Sequence, residues 1–547
     1  MNLKKVEDKL QQYIKNFFYS NHKKYKKIHK KNYKFFYNDI LIILTNELNK
    51  IHNLNLTTKQ WAIIIGPWLD NILNIYFFYK TNFIKFKKFL FIKQLEEKSL
   101  KELKKFNLFY FTYNDFVENI NTREFHYTAI SLILNKESYK FLKVKKAFLN
   151  KRKLIKIIYL KFIKFFFSNK IILHSKSRFT LLDQFLLILK SRFKIFPLPV
   201  MENTFEFQLI NISNDRKKII NNINKNNKNF NVIKFLLFFM PSAYLENFKD
   251  LKKIGNKNLI APRKFYTDSS HLFDEILKIQ LAEWSKNKFT KIMIGQHGGN
   301  TRIYEDTLLN YNDFIFCNNF ITWGYKKTRH KEVYLPSIRL NNFYRNKSKL
   351  KFIKKYEICY ILKPLVKDIF KSHFHQNINP NYIDEKIKFF KKMNQNLVIK
   401  SYSETKRYKN QISNKALAKL FNVKNKQIKK NFKIIFESKI LIFDYVSTMI
   451  FEMIILNKPI ILILNKKDQY LSNYGKIFLK DLERLGILLP SHEHLINLSK
   501  KNPNYFRDYD RDWNIKSKQN LIKRFCKEYA HLSKNFLEIW KNYLIKR

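Results

Sequence analysis

The sequence predicts an α/β protein: two lobes of similar size facing a cleft, preceded by a helical N-terminal extension and finished by C-terminal helices. Three observations lead there. From about residue 200, short apolar runs alternate with helix-like stretches, the rhythm of a mostly parallel sheet. A second set of the same kind opens after the linker-like segment NNFYRNKSKLKFIKK (341–355). The 547-residue chain also holds only 8 Gly, and Gly295, Gly298 and Gly299 crowd one pentad at the end of an apolar run. The division that follows is 1–200, mainly helical; 201–340, a first α/β lobe; and 341–547, a second lobe with terminal helices.

In chain order, residues 1–50 read as helical and very basic (NHKKYKKIHKKNYK). In WAIIIGPWLDNILNIYFFY (61–79), Pro67 is expected to begin a new helix after Gly66, since proline suits a first helical turn. Trp61 and Trp68 read as a buried helix face or as an interfacial anchor on lipid. Residues 80–200 alternate helical stretches with lysine-rich faces. Within them 143–167 is basic and amphipathic, either a solvated face or a membrane-surface contact. A polar loop is expected at 214–229, a strand at 232–239, helices at 244–254 and 271–287, and strands at 292–294, 313–316 and 320–323. In the second lobe, strands are expected at 356–362, 396–400, 440–443 and 459–464. A helix lies between the last two, from about 447 to 456, and helices fill 505–545.

Lys+Arg 106 against Asp+Glu 43 leaves a net charge of +63, which fits an anionic partner such as nucleic acid, a lipid surface or a phosphorylated substrate. Heavy use of Lys, Asn, Ile and Phe points to a compositional bias that supplies part of that excess. An aromatic share of 16% argues for packed cores over disorder. Cys317, Cys359 and Cys526 are scattered and suit a reducing cytoplasm. No apolar run reaches the roughly 18 residues that span a bilayer, so a cytoplasmic chain, at most peripheral to the inner membrane, is expected.

Two segments carry chemistry. KIMIGQHGGN (291–300) is a strand that ends in a glycine-lined loop around His297. Glycines so sparingly used stand where φ is positive or where backbone must approach something closely. A histidine there suits proton transfer near neutral pH, although a tight turn with a surface histidine gives the same pattern. DYVSTMIFEMIILNKP (444–459) follows the strand ILIF and places Ser447 and Thr448 at a helix N-terminus, where free N–H groups and the helix dipole bind phosphate. Glu452 lies one turn on, able to take hydrogen bonds from a sugar. An ordinary capping box would need no ligand. His373 and His375, and His492 and His494, are spaced as metal pairs but lack further ligands and read as exposed loop histidines. No P-loop, dinucleotide-binding, zinc-protease or serine-hydrolase motif occurs, nor any zinc finger or RNP-type segment.

Four blocks together resemble a family of transferases from bacterial O-antigen and surface-polysaccharide gene clusters. They are LTNELNKIHNLNLTTKQWAIIIGPWLDNILNIYFFY (44–79), IGQHGGN with FITWGY (294–300, 320–325), FDYVSTMIFEMIILNKPIILIL (443–464) and CKEYAHLSKNFLEIWKNYL (526–544). More distantly, the His-Gly loop and the DYxST helix are similar to those of CDP-glycerol glycerophosphotransferases. The resemblance implies a GT-B-like fold of two Rossmann-like lobes, with the donor held mainly by the second. It implies His297 as catalytic base or transition-state stabiliser, Ser447 and Thr448 on the donor's phosphates, and Glu452 on its sugar, with Gln296, Gly298, Gly299 and Asp444 completing the donor site. After QHGGN the chain has Thr301-Arg302 where the family pattern places Tyr-Gly.

The function expected is transfer of a sugar, or a related phosphorylated group, from a nucleotide-sugar or CDP-linked donor to a saccharide acceptor, possibly lipid-linked, in surface-polysaccharide assembly. No cofactor and no metal are expected, because no DxD-like carboxylate pair stands near either motif. An anionic membrane surface is a further expected partner, and no specific nucleic acid is. The alternative is a non-catalytic basic protein that binds nucleic acid or membrane.

Overall fold

The computed structural model describes residues 35–86, 112–120, 143–149, 154–167, 172–199, 205–211, 214–223, 227–257, 262–304, 316–325, 330–350, 353–362, 382–393, 397–401, 414–429, 431–466 and 471–546, with a few isolated positions between them. Fourteen strands run along this part of the chain. They are β1 (Lys143–Leu149), β2 (Ile172–Ser175), β3 (Ile195–Pro197), β4 (Phe205–Asn211), β5 (Lys264–Thr267), β6 (Lys291–Gly295), β7 (Asn319–Thr322) and β8 (Glu332–Tyr334), then β9 (Tyr356–Ile361), β10 (Leu397–Lys400), β11 (Ile428–Lys429), β12 (Ser438–Phe443), β13 (Ile460–Ile463) and β14 (Leu488–Leu489).

Two six-stranded sheets result, ordered β3-β2-β5-β6-β7-β8 and β11-β10-β9-β12-β13-β14. Every pairing within them is parallel. Strands such as β6 and β13 are continuous apolar runs because helices cover a parallel sheet on both faces. In each sheet the strand order reverses once, between β2 and β5 in the first and between β9 and β12 in the second. The second order is that of the dinucleotide-binding folds, and ligands of such sheets lie outside the carboxyl ends of the strands at that reversal. The mixed α/β, two-lobed, Rossmann-like reading therefore holds.

Several local expectations do not. Residues 232–239 lie in a helix, Phe230–Phe239, and not in a strand. An unbroken apolar run suits either element, and here it is buried on most sides, with the Phe235 ring 5.2 Å from that of Tyr76. Pro67 starts no helix. It sits inside one 29-residue helix, Thr58–Phe86, where burial of Trp61, Ile64, Ile65, Trp68 and Leu69 offsets the missing N–H. The same burial assigns both tryptophans to the core and not to lipid.

The first sheet begins at Ile172, inside the region expected to be mainly helical, because β2 and β3 have only four and three residues between longer amphipathic helices. Residues 143–149 pair antiparallel with β4. The expected loop at 214–229 contains helix Asp215–Asn222, anchored where Arg216 reaches Glu246 at 2.6 Å and the carbonyl of Met240 at 2.9 Å. The described positions 313, 314 and 316 are helical, and the linker segment contains the end of helix Ile338–Arg345.

The C-terminus binds the lobes together. Helix Lys516–Tyr529 packs Phe525 and Tyr529 on Phe478 of the second lobe. The chain then crosses back, with the His531 N–H donating to the carbonyl of Trp323 at 2.8 Å. Helix Phe536–Ile545 lies on the first sheet, its Trp540 ring 4.7 Å from Tyr266 and its indole N–H on the carbonyl of Pro336. Gly324 permits this crossing, since a Cβ there would stand 2.2 Å from the backbone oxygen of Glu528. Gly324→Ala should therefore lower stability by about 1–3 kcal/mol, as overpacking does. Gly255→Ala, in helix Phe248–Lys257, meets only ordinary contact with Ile279 at 3.4 Å and should be neutral to about 1 kcal/mol stabilising. Thermal melts of the two variants check the contrast.

Candidate active site

The loop that ends β6 reaches across to the helix Thr448–Ile455 that follows β12. The Gly299 N–H donates to Thr448 Oγ1 at 3.0 Å. A side chain at 299 would lie 2.4 Å from the Phe451 ring and 3.0 Å from Thr448 Cα, and one at 298 would lie 3.5 Å from Thr448 Oγ1. These glycines serve close approach and not left-handed backbone, since the positive-φ glycine of the described residues is Gly486. Gly295 is constrained in the same way, by Asp268 and Tyr266, each 2.3 Å from where its Cβ would be. Arg302 takes a left-handed backbone, at φ +76. Its guanidinium is held at 2.6 Å by Glu332 and lies over the Tyr474 ring.

His297, half-buried at the mouth of this contact, is pushed down to about 4 by burial, further lowered by His271, Arg178 and Arg339 and raised by Asp313. It is therefore neutral at pH 7. Around it stands a group of charged side chains that the sequence motifs did not single out. His271 Nε2 is 2.7 Å from Asp313 Oδ1, both side chains are almost fully enclosed, and His271 Nδ1 has no partner. Asp268, in the turn after β5, accepts a hydrogen bond from the Tyr266 hydroxyl and lies 3.9 Å from Arg178; burial lifts it to about 6. Lys176 and Arg178, in the turn after β2, both have left-handed backbone, at φ 42 and 66, and so hold strain at the reversal of the first sheet. Nothing in the local sequence marks Arg178 or Arg339.

On the opposite side, Ser447 is the N-cap residue of helix Thr448–Ile455 but makes no capping bond, and its buried hydroxyl has no partner. Glu452 does not close a capping box: both Arg339 Nε and Nη2 lie 2.9 Å from its Oε1. The capping-box reading therefore fails at both ends. Gln296 spans its own loop, donating to the carbonyl of Gly298 at 3.1 Å and accepting from the Trp323 N–H at 3.3 Å, so its amide shapes the loop. Asp444 pairs with the buried ammonium of Lys386, which burial lowers to about 8 against the pull of that carboxylate. Its carboxylate is thereby engaged within the protein.

The structure thus brings His297, Gly298, Gly299, Ser447, Thr448 and Glu452 to one place and turns the side chains of Gln296 and Asp444 inward. Among the described residues no group of three or more His, Cys, Asp or Glu could hold a metal. His492 is no exposed loop histidine: it is buried, 2.8 Å from the Tyr360 hydroxyl. His373 and His375 lie outside the described residues.

The model of the LIC12162 family transferases matches residues 3–544. The chain belongs to this family. No curated protein matches it. In a transferase, an imidazole beside a helix N-terminus that carries an unengaged hydroxyl pairs a proton acceptor with an anion site.

An idle cap has a measurable signature. Ser447→Ala should leave the melting temperature of the free protein unchanged, because no capping bond is lost. Ser472→Ala, which removes the hydroxyl that accepts from the Gly475 N–H at 2.9 Å, should cost about 1 kcal/mol.

Proposed function

We propose that this transferase moves a sugar, or a related phosphorylated group, from a nucleotide-activated donor to a saccharide acceptor of surface-polysaccharide assembly, in a GT-B-like cleft. The observation that carries the reading is the contact of Gly299 with Thr448, which joins the loop of His297 to the N-terminus of the helix that Ser447 precedes. The donor's diphosphate lies against the free N–H groups of that helix and Ser447 Oγ, with the Arg339–Glu452 pair beside its sugar. The acceptor enters from the side of Arg178 and Asp268.

In the reaction His297 takes the proton of the acceptor hydroxyl while that oxygen bonds to the transferred group. The bond from that group to the diphosphate oxygen breaks, and the leaving oxygen keeps the electron pair. The helix N-terminus and the Ser447 hydroxyl stabilise that developing charge. Asp313 stabilises the imidazolium, and the anionic donor does so too, so His297 becomes a better base once the donor is bound.

This order of events predicts the pH profile. The folded protein holds His297 neutral down to about pH 4. The acid limb of kcat/KM that belongs to His297 should therefore fall near pH 4, and that of kcat, which reports the donor complex, should fall higher. Coincident limbs at an ordinary histidine value would refute the donor's part.

His297→Ala should lower kcat by about 10²-fold or more with donor affinity little changed, and near wild-type turnover would remove its role. Ser447→Ala should weaken donor binding with no loss of stability, measured by calorimetry. A thermal-shift screen against nucleoside diphosphates and nucleotide sugars identifies the donor, and no shift with any of them would count against the whole reading.

A further inference from the structure

The first lobe carries a surface for which the reaction has no use. Helix Leu181–Lys190 buries Asp183 and Leu187 on one face. Along the other, Leu181, Leu182 and Phe185 are 84%, 66% and 56% exposed, and Leu189 is exposed as well. These positions recur at the three- and four-residue spacing of one helical stripe. The helix ends in a turn where Arg192 and Phe193, both at positive φ, lead into edge strand β3, and both side chains face solvent.

A second helix, Leu154–Phe167, is tied to the same edge by the Tyr159 hydroxyl, which donates to the carbonyl of Pro197 in β3 at 3.0 Å. It too exposes large apolar side chains, Ile158, Phe162 and Phe165, alongside the exposed Lys161 and Lys164. A folded surface normally scatters such residues singly, so eight of them along one lobe edge, Phe193 included, call for an explanation.

The charge of the segment supplies it. Residues 143–199 contain fifteen Lys and Arg and a single acidic residue, Asp183. The Asp183 carboxylate is buried against Arg345 at 2.7 Å, which leaves the rim of the apolar stripe cationic. A second copy docking here by two-fold symmetry would set Lys190, Arg192 and Lys194 against their own counterparts, a like-charge arrangement that opposes pairing. Leucine and phenylalanine ringed by lysine match the interface of an anionic bilayer, where apolar side chains enter the headgroup boundary and ammonium groups stay on lipid phosphates. No described helix is long and apolar enough to cross a membrane, so the contact is with one leaflet.

We propose that this edge of the first lobe, helix Leu181–Lys190 with helix Leu154–Phe167 beside it, docks on an anionic lipid surface. The turn that carries Arg178 directly precedes helix Leu181–Lys190, so docking would bring the acceptor side of the cleft to the leaflet. The binding itself does not depend on the transferase reading.

Sedimentation of the full chain with vesicles tests it, using phosphatidylcholine alone and phosphatidylcholine mixed with phosphatidylglycerol. The protein should pellet with the anionic vesicles and remain in solution with the neutral ones. The triple variant Leu181→Ser, Leu182→Ser, Phe185→Ser should lose about tenfold or more of that partitioning, with an unchanged melting temperature because the replaced side chains are exposed. Lys190→Gln with Lys194→Gln should weaken binding and flatten its salt dependence, an outcome that decides the matter even if the triple variant were unstable. The proposal is overturned if the wild type stays in solution with anionic vesicles, or if both variants bind as it does. It is equally overturned if the triple variant turns a dimer into a monomer without touching vesicle binding, which would make the surface a self-contact.

Discussion

The hydrogen bond from the Gly299 N–H to Thr448 Oγ1, flanked by the bond from the Ser472 N–H to the carbonyl of Ile303, fixes the geometry on which the rest of this molecule depends. It forms because Gly299 puts no side chain against the Phe451 ring and the Thr448 backbone. Its consequence is electrostatic as much as steric. It uses the Thr448 hydroxyl within the protein and leaves Ser447 idle beside the first turn of a helix. It also brings His297 into a setting of low polarity crowded with cations. An imidazole so placed resists protonation until negative charge arrives, so binding of an anionic ligand and the basicity of the histidine become linked quantities.

The buried polar groups around the site divide by what they do. The Lys386–Asp444 and Arg302–Glu332 pairs lie deep and hold loops in place, and their desolvation cost is met by near-contact geometry. Arg339–Glu452 and Arg178–Asp268 are different, because one partner in each remains partly exposed and the other is enclosed. Such half-open pairs can exchange a protein partner for a ligand's charge at modest cost, and both flank the line along which the lobes meet.

Much of this was legible in the residues, for a physical reason. A buried parallel strand has to be apolar along its length, so β6, β9, β10, β12 and β13 could be read directly, and scarce glycines marked the close approach. The misreadings share one cause. The run at 232–239 and the Gly66-Pro67 pair both depend on tertiary burial, which can make an apolar run helical and can carry a helix through a proline. The two- to four-residue strands β2, β3, β11 and β14 are too short to show a period. The cluster of Asp268, His271, Asp313, Arg178 and Arg339 was illegible because its members come from distant turns and helices that only the sheet order assembles. The membership of Gln296 and Asp444 in a donor site was read from motif position, and only the coordinates show that their side chains point into the protein.

The two places where the chain passes between the lobes are fastened to each other: the Ser337 N–H donates to the carbonyl of His531 at 3.1 Å, and the Ser533 N–H to Asn341 Oδ1 at 3.0 Å. A joint of two adjacent, mutually bonded crossings can bend but hardly slide. Any opening of the crevice would be a swing about that line, and it would have to part the Gly299–Thr448 contact together with the bond from Ser472 to Ile303. Access to the anion site and assembly of the reactive geometry would be a single mechanical coordinate, so that a loaded cleft and a competent one are the same state.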